Sequence, residues 1–226
     1  MAKKLILFDL DNTVLWSGDA TARAFKQAFA DLFGVEDAFA GIDLQYAGRT
    51  DTIILHEALD RHGVSGEVED LTRQFRQRYH EVLPGCLATA EAKRTPGIEE
   101  LLTGLAEAGA TLGLVTGNSR QAAMLKIEHC GVDSSHFADG AFGDDDEDRS
   151  VLVGMAMKRL AAEADPKTVV MVGDTPSDVK AAKNNGATSI AVATGKWSVD
   201  QLKEAGADIA FEDFSDWRGA LQSFLA

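Results

Sequence analysis

Two aspartates follow the first apolar run of the chain, in the segment Asp9-Leu10-Asp11-Asn12-Thr13 after Leu5-Ile6-Leu7-Phe8. The apolar run predicts a buried strand, and residues two apart in an extended segment project to the same side. Asp9 and Asp11 can therefore face one site together. Two carboxylates at such close range repel each other unless a cation or a shared proton lies between them. By itself the segment is compatible with such a site, and equally with a solvated turn that aspartate side chains cap.

Two later apolar runs also end in polar residues that can do chemistry. Residues 112–115 are followed by Thr116-Gly117-Asn118, and residues 169–172 by Gly173-Asp174-Thr175-Pro176-Ser177-Asp178. In parallel α/β sheets, ligands bind outside the carboxyl ends of the strands, near the point where the strand order reverses. We therefore predict that Asp9, Thr116 and Asp174 meet at one edge of a sheet.

The elements that must position these residues alternate from Pro96 onward. The patterns predict helices over 97–108, 119–130, 150–162, 178–185 and 214–225, and strands over 111–115, 168–172, 188–193 and 208–211. Helices that alternate with strands in this way indicate βαβ units and a parallel sheet.

The segment between the first strand and Pro96 has a different pattern. Apolar residues recur at helical spacing over 20–33, 52–61 and 67–83, and no strand-like run interrupts them. We expect a small helical bundle over residues 17–93, inserted into an α/β core formed by residues 1–16 and 94–226. The hinges should lie near Trp16-Ser17-Gly18 and Lys93-Arg94-Thr95-Pro96.

This arrangement resembles the haloacid dehalogenase superfamily, and specifically its phosphatases with a helical cap inserted after the first strand. The resemblance covers nearly the whole chain. Its first motif, D-x-D-x-T, is matched by Asp9, Asp11 and Thr13, and its second, a Thr or Ser at a strand end, by Thr116. The fourth motif, G-D-x-x-x-D, is matched by Gly173, Asp174 and Asp178. The fold that the resemblance implies is α/β, with a Rossmann-like parallel sheet, the Asp9 strand at its centre and an α-helical cap domain.

The third motif of the superfamily is a lone basic residue, usually a lysine followed by proline. Arg149 is the candidate here, although no proline follows it and it comes directly after the acidic run 144–148. Its guanidinium carries a fixed fork of donors that suits phosphoryl oxygens.

The resemblance also implies roles for the matched residues. Asp9 is expected to be the nucleophile that forms an aspartyl-phosphate. Asp11 is expected to be the general acid and then the base that activates water, which calls for a raised pKa or a productive minor protonated state. Mg²⁺ prefers hard oxygen ligands, and its ligands are expected to be Asp9, Asp174, the backbone carbonyl of Asp11, and Asp178 directly or through water. Thr116 and Arg149 are expected to hold the phosphoryl oxygens, with backbone amides near Leu10 and Gly117.

Each of these residues also has a simpler interpretation. Thr116 or Ser119 can cap a helix, and Asp178 can stabilise a helix N-terminus through the helix dipole. Arg149 can neutralise the acidic run 144–148, which in turn can position that arginine or tune access to the site.

The helical segment is expected to select the leaving group. Gly48-Arg49-Thr50-Asp51 precedes its second helix, where Thr50 or Asp51 can serve as the N-cap and Arg49 can bind a substrate carboxylate or phosphate. With Ala47, this stretch is similar to phosphoglycolate phosphatases. A small phosphorylated metabolite such as phosphoglycolate is therefore the expected substrate.

Composition excludes several other classes of partner. The net charge of −14 disfavours nucleic acid and anionic membrane surfaces, which bind proteins largely through Lys and Arg. A site for anionic phosphates nevertheless needs local positive charge, and the candidates for it are Arg149, Arg49, Lys196 and Mg²⁺. No long apolar run or signal-peptide pattern is present. Cys86 and Cys130 form no metal-binding spacing and no disulfide framework, so we expect a cytoplasmic protein that is a monomer or a homodimer.

Other activities remain open at this point. A sugar phosphomutase, a pyrophosphatase or a nucleotidase of the same superfamily would use the same core residues. A haloacid dehalogenase would need neither Mg²⁺ nor a proton donor, so Asp11, Asp174 and Asp178 argue against it. A non-catalytic phosphate-binding protein would be favoured if Asp9 or Asp174 were missing, and both are present.

Overall fold

The computed structural model describes residues 4–40, 48–161 and 168–226. In these ranges the strands are β1 Leu5–Phe8, β2 Leu15–Trp16, β3 Lys93–Arg94, β4 Thr111–Val115, β5 Phe137–Ala141, β6 Val169–Gly173, β7 Thr188–Val192 and β8 Ile209–Phe211. The helices are α1 Ala20–Phe33, α2 Asp51–Arg61, α3 Val68–Leu87, α4 Ile98–Glu107, α5 Arg120–His129, α6 Arg149–Ala161, α7 Pro176–Asn184, α8 Val199–Glu204 and α9 Trp217–Leu225.

Six parallel strands form one sheet in the order β5-β4-β1-β6-β7-β8. The predicted α/β fold with the Asp9 strand at the centre is therefore confirmed. All four residues of β1 are buried, and their side chains alternate between two hydrophobic clusters. Ile6 and Phe8 belong to one cluster, while Leu5 and Leu7 belong to the other. Helices thus cover both faces of the sheet, as expected for a strand that is apolar throughout.

The strand order reverses between β4 and β6, on the two sides of β1. These are the strands whose carboxyl ends carry the polar segments identified in the sequence. The turn after β1 is tight: Val14 N–H donates to the Leu10 carbonyl at 2.9 Å, and Asn12 takes a left-handed backbone conformation with φ of 60°. Asparagine tolerates that conformation better than most residues. The turn fixes Asp9 and Asp11 at the sheet edge.

The helices α1, α2 and α3 surround a hydrophobic cluster of their own. Its largest side chains are aromatic, with the Phe25 and Phe75 ring centroids 4.5 Å apart and Phe29 and Tyr79 fully buried. A separate core is what a distinct helical unit requires, because an amphipathic helix is stabilised mainly by packing of its apolar face. The three helices match the predicted ones, except that α3 continues through Pro84 to Leu87.

The two connections between the helical unit and the sheet lie side by side. Leu15 and Trp16 of β2 pair antiparallel with Arg94 and Lys93 of β3, at the positions predicted as hinges. The Thr95 hydroxyl donates to the Thr13 carbonyl at 2.7 Å and holds the two connections together. The boundaries 17–93 and 94–226 remain a prediction.

One strand of the sheet was not predicted. Strand β5 has the sequence Phe-Ala-Asp-Gly-Ala and lies at the edge of the sheet, where several of its residues are partly exposed. Its sequence includes an aspartate and a glycine and lacks the apolar pattern that indicates a strand. Gly140 is required there because a Cβ atom would collide with the Leu114 carbonyl oxygen of the neighbouring strand. Within the described ranges, no helix is both long and apolar enough to span a membrane.

Candidate active site

The carboxyl ends of β1, β4 and β6 open into a cavity of about 390 Å³ between the sheet edge and the helical unit. The cavity brings together most of the predicted site residues. Its lining includes Asp9, Asp11, Arg49, Thr116, Gly117, Arg149 and Asp174. Asp178 lies just behind this lining, in contact with Arg149.

Three carboxylates form a compact cluster at the sheet edge. Asp9, Asp174 and Asp178 are all buried, and each contributes an oxygen within 4.8 Å of the others. Gly173 allows this approach, since a Cβ atom at that position would collide with the Asp178 carboxylate. The Asp178 carboxylate accepts from the Thr175 hydroxyl at 2.6 Å and from the Thr175 amide at 3.1 Å. The Asp178 amide in turn donates to the Thr175 hydroxyl at 3.2 Å, and these two amide hydrogen bonds form the capping box of α7. Asp178 therefore also has the predicted role at a helix N-terminus.

Arg149, the first residue of α6, joins two members of this cluster. Its Nη2 donates to Asp9 Oδ1 and its Nε donates to Asp178 Oδ1 at 2.6 Å. Burial opposes the charge of the guanidinium, but Asp178 and Asp9 outweigh it and raise the pKa of Arg149. Arg149 contacts the site carboxylates and does not neutralise the acidic run 144–148. In that run Asp145 pairs with Arg159 at 2.7 Å and Glu147 with His56 at 3.0 Å.

The electrostatics of Asp9 and Asp174 suit a divalent cation. Burial and the neighbouring carboxylates raise the pKa of Asp9 to about 7 and the pKa of Asp174 to about 9, although the charge of Arg149 acts to lower both. Asp174 Oδ2 is buried and has no hydrogen-bond partner. A buried carboxylate oxygen without a donor is costly unless a proton or a cation binds it. Hard oxygen ligands are those that Mg²⁺ prefers, so the donor set fits this ion.

Thr116 does not cap a helix, although the sequence also allowed that role. Ser119 is the N-cap of α5, with its hydroxyl accepting from the Ala122 amide. The Thr116 hydroxyl instead accepts from the side-chain amide of Asn118 at 2.7 Å. The carbonyl of Gly117 accepts the Asp51 amide at 2.9 Å, and a Cβ at Gly117 would collide with the Arg49 carbonyl oxygen. Gly117 therefore allows the loop before α2 to approach the sheet edge.

Asp11 has a set of partners separate from those of Asp9. Lys126 of α5 donates to both carboxylate oxygens of Asp11, at 3.0 and 2.8 Å. The side-chain amide of Asn118 also donates to this carboxylate at 2.6 Å, and the hydroxyl of Ser17 donates to it at 2.9 Å. Burial raises the pKa of Asp11, but Lys126 and the other donors outweigh burial, so the pKa of Asp11 is lowered. Of the two conditions expected for proton donation, the lowered pKa fits the productive minor protonated state.

Lys126 was not among the residues predicted from the sequence. It lies in a regular helix, seven residues after the cap at Ser119, and carries no local motif. The sequence feature that could have pointed to Lys126 is its position on the helix that follows Thr116-Gly117-Asn118. Asp11 and Asn118, by contrast, lie in segments that the sequence singled out.

The helical side of the cavity combines apolar and charged residues. Phe25, Phe39 and Ile54 line it, together with Arg49 and Asp51. Arg49 donates to Glu57 of α2 at 2.9 Å, and Thr50 is the N-cap of α2, so this loop does form a capping turn. Ala47, which contributed to the resemblance with phosphoglycolate phosphatases, lies outside the described residues. Lys196, a predicted source of positive charge, also lines the cavity.

Comparisons with known proteins agree with this geometry. The model of the haloacid dehalogenase-like hydrolase family matches residues 6–192. A relative from Dickeya dadantii, named "Probable phosphatase IndB", is 30% identical over 99% of this chain and 95% of its own length. A phosphoglycolate phosphatase from Vibrio parahaemolyticus is 26% identical over 94% of this chain and 93% of its own length.

Solved structures share the fold. The crystal structure of a predicted phosphatase from Clostridium acetobutylicum superposes with a TM-score of 0.73 at 21% identity, and covers 98% of this chain and 100% of that one. The family match spans β1 through β7, and so includes the three strand ends that form the cavity. The chain belongs to the haloacid dehalogenase-like hydrolase family.

Proposed function

We propose that the protein is a Mg²⁺-dependent phosphatase that hydrolyses a small phosphorylated metabolite through an aspartyl-phosphate on Asp9. The observation that carries the proposal is the separation of the two aspartates at the end of β1. Asp9 lies with Asp174 and Arg149 in the carboxylate cluster, while Asp11 lies two residues away with its own donors. This separation supports our assignment of Asp9 to nucleophilic attack and of Asp11 to proton transfer. The phosphatase names of several relatives support the same reaction class.

In the first half of the reaction, an Asp9 oxygen attacks phosphorus and the bond from phosphorus to the leaving oxygen breaks. A protonated Asp11 donates its proton to that leaving oxygen, so that the product departs as an alcohol. In the second half, Asp11 takes a proton from water as the water oxygen attacks phosphorus, which releases inorganic phosphate and regenerates Asp9. Because the pKa of Asp11 is lowered, proton donation uses a minor protonated form.

Arg149 and Thr116 are proposed to hold the transferring phosphoryl oxygens. The hydrogen bonds of Arg149 use Nε and Nη2, which leaves its Nη1 donors for the substrate. Asp9, Asp174 and the backbone carbonyl of Asp11 are proposed to ligate Mg²⁺. Asp178 is proposed to act through water, because Arg149 and Thr175 already donate hydrogen bonds to the Asp178 oxygens. Bound Mg²⁺ supplies the positive charge that lets an anionic nucleophile approach an anionic phosphate.

The helical unit is proposed to act as a cap that selects the leaving group and excludes water. Its loop before α2 contacts the sheet edge through the Asp51 amide, and the Thr52 hydroxyl donates to the Gly143 carbonyl at 2.9 Å. Arg49 lines the cavity and is proposed to bind an anionic group of the substrate, such as the carboxylate of phosphoglycolate. To do so it must exchange its exposed partner Glu57 for the substrate.

Phosphate release from a panel of substrates tests this proposal. The panel contains 2-phosphoglycolate, sugar phosphates, nucleotides and pyrophosphate, each assayed with Mg²⁺ and with EDTA. We expect Mg²⁺-dependent release with a preference for a small acidic substrate. A preference for pyrophosphate or nucleotides would reassign the substrate, and conversion of a sugar phosphate to its isomer without phosphate release would indicate a mutase. No release from any member with Mg²⁺ would contradict the proposal.

A further inference from the structure

Lys126 has no exposed surface, although it is a lysine on a helix that borders the cavity. Transfer of an ammonium group from water into the protein interior is costly unless the group is paired and hydrogen-bonded. Lys126 meets that requirement in full: Nζ donates to Asp11 Oδ1 at 3.0 Å, to Asp11 Oδ2 at 2.8 Å and to Asn118 Oδ1 at 2.6 Å. An ammonium group has three donors, and all three point into the site.

The network around Lys126 fixes the Asp11 carboxylate from several directions. Asn118 accepts from Lys126 through its carbonyl oxygen, while its amide donates to Asp11 at 2.6 Å and to Thr116 at 2.7 Å. The Ser17 hydroxyl donates to Asp11 Oδ1 at 2.9 Å from the other side. Both carboxylate oxygens of Asp11 therefore have defined donors, and the carboxylate is held in one orientation.

The two buried cations of the site serve different carboxylates. Arg149 binds Asp9 and Asp178, whereas Lys126 binds Asp11. A residue needed only to fill space in α5 would be apolar, like its buried neighbours Ala123 and Ile127. The charged group of Lys126 instead contacts Asp11 and Asn118.

We propose that Lys126 is a positioning residue for proton transfer: it holds the Asp11 carboxylate in the orientation from which Asp11 exchanges protons with the leaving oxygen and with water. The inference rests on the proposed phosphatase reaction. The protons that move are those of Asp11 and of water, and the three protons of the ammonium group stay on Lys126. Lys126 thus acts on the substrate only through Asp11.

The leaving group of the substrate provides the test. An alkoxide leaving group needs a proton as its bond to phosphorus breaks, whereas 4-nitrophenolate leaves without one. Misplacement of Asp11 should therefore slow an alkyl phosphate far more than 4-nitrophenyl phosphate. The measurement is kcat and KM for both substrates with wild type, Lys126→Met, Lys126→Gln, Lys126→Arg, Asp11→Asn and the double variant Asp11→Asn/Lys126→Met. Lys180→Met, a change at an exposed lysine of α7, is the matched control.

We expect Lys126→Met to lower kcat for the alkyl phosphate by about 10²-fold, and that for 4-nitrophenyl phosphate by about tenfold or less. Lys126→Gln retains a hydrogen-bond donor and should show the same selectivity in milder form, which keeps the test available if Lys126→Met does not fold. Lys126→Arg should recover part of the lost activity. The double variant should be no slower than Asp11→Asn, because Lys126 has no effect without Asp11.

Two other outcomes are decisive. The first outcome is that wild type is active and Asp11→Asn slows the alkyl phosphate more than 4-nitrophenyl phosphate, but Lys126→Met and Lys126→Gln slow both substrates equally. In that case Lys126 has only a structural role and the inference is wrong. If wild type releases phosphate from neither substrate with Mg²⁺, the proposed function itself fails, and the inference fails with it.

Discussion

The cavity has two sides that are built differently. At the sheet edge Arg149 forms a buried ion-pair network, in which the side chains of Arg149, Asp9 and Asp178 are 7, 9 and 2% exposed. On the helical side the ion pair is open, with Arg49 25% and Glu57 48% exposed. Ion pairs near the surface contribute little to stability and exchange partners readily, whereas breaking a buried pair leaves an uncompensated charge.

This difference assigns separate tasks to the two sides. A buried network holds its groups in fixed positions, which suits a reaction whose geometry is the same for every phosphate ester. An open ion pair beside apolar residues such as Phe25 and Ile54 can adapt to different leaving groups. We therefore expect substitutions at the sheet edge to affect all substrates, and substitutions on the helical side to affect substrates selectively.

The largest effect is expected from Asp9→Asn. Removal of the nucleophile should lower kcat by roughly four orders of magnitude or more on every substrate, while the fold persists because the change is nearly isosteric. Phosphate release and thermal unfolding measure the two consequences. Asp60→Asn, at an exposed position of α2, is the control and should retain full activity. Substantial turnover by Asp9→Asn would remove Asp9 from the nucleophile role.

Asp174→Asn should have the next largest effect. The amide cannot replace the buried carboxylate oxygen that lacks a partner, so we expect kcat to fall by about 10²-fold and the Mg²⁺ concentration for half-maximal activity to rise. Titration of activity with Mg²⁺ measures both changes, and EDTA should abolish wild-type activity reversibly. An unchanged Mg²⁺ requirement in this variant would contradict the proposed ligand set.

Substitutions on the helical side should separate the substrates. Arg49→Ala is expected to lower kcat/KM for an acidic substrate such as phosphoglycolate by about 10- to 100-fold. A loss of this size is expected when one hydrogen bond to a charged group is removed. Activity on 4-nitrophenyl phosphate should change only a few-fold. Glu57→Gln is the companion variant: it releases Arg49 from its partner and should lower KM slightly for the acidic substrate. Equal losses on both substrates in Arg49→Ala would place Arg49 on the transferring phosphate or on structure.

The smallest effect concerns stability without metal. In the folded protein the pKa values of Asp174 and Asp9 are raised to about 9 and about 7, from an ordinary value of 3.8. The folded state therefore binds more protons than the unfolded state at intermediate pH, so the free energy of unfolding falls as pH rises toward 9.

Thermal unfolding at about pH 6 and about pH 8.5, with EDTA or with Mg²⁺, measures this dependence. In EDTA the Tm should fall by roughly several degrees between the two pH values, and Mg²⁺ should raise Tm more at the higher pH because protons compete with the metal. Asp174→Asn should weaken the dependence. An equal Mg²⁺ effect at both pH values would contradict a metal site formed by these carboxylates.

The sequence predicted the sheet edge better than the helical side because the sheet edge is encoded in local patterns. An apolar run that ends in aspartate marks both a strand and its functional end, so Asp9, Thr116 and Asp174 were found together. Strand β5 was missed because an edge strand with polar residues lacks that pattern. The helices of the inserted unit were predicted from their spacing, but the Arg49–Glu57 pair depends on the tertiary arrangement of a loop.

Lys126 shows a different limit of sequence analysis. Its helix begins with an identifiable cap, but nothing local distinguishes a buried lysine from an exposed one. Its role depends on contact with Asp11, which lies 115 positions earlier in the chain. Only the packing of α5 against the end of β1 reveals that contact. In the same way, the partners of Arg149 could not be distinguished from the adjacent acidic run without the fold.

The central claim is that Asp9 carries the phosphoryl group during turnover. The most direct test is rapid acid quenching of the enzyme during reaction with Mg²⁺ and 4-nitrophenyl phosphate, followed by peptide mass mapping. The account predicts an acid-stable phosphoryl group on the peptide that contains Asp9, present during turnover, absent in EDTA and absent in Asp9→Asn. Because Asp11 lies on the same peptide, fragmentation must place the group on Asp9. An active enzyme that never carries the group, or carries it elsewhere, would contradict the account.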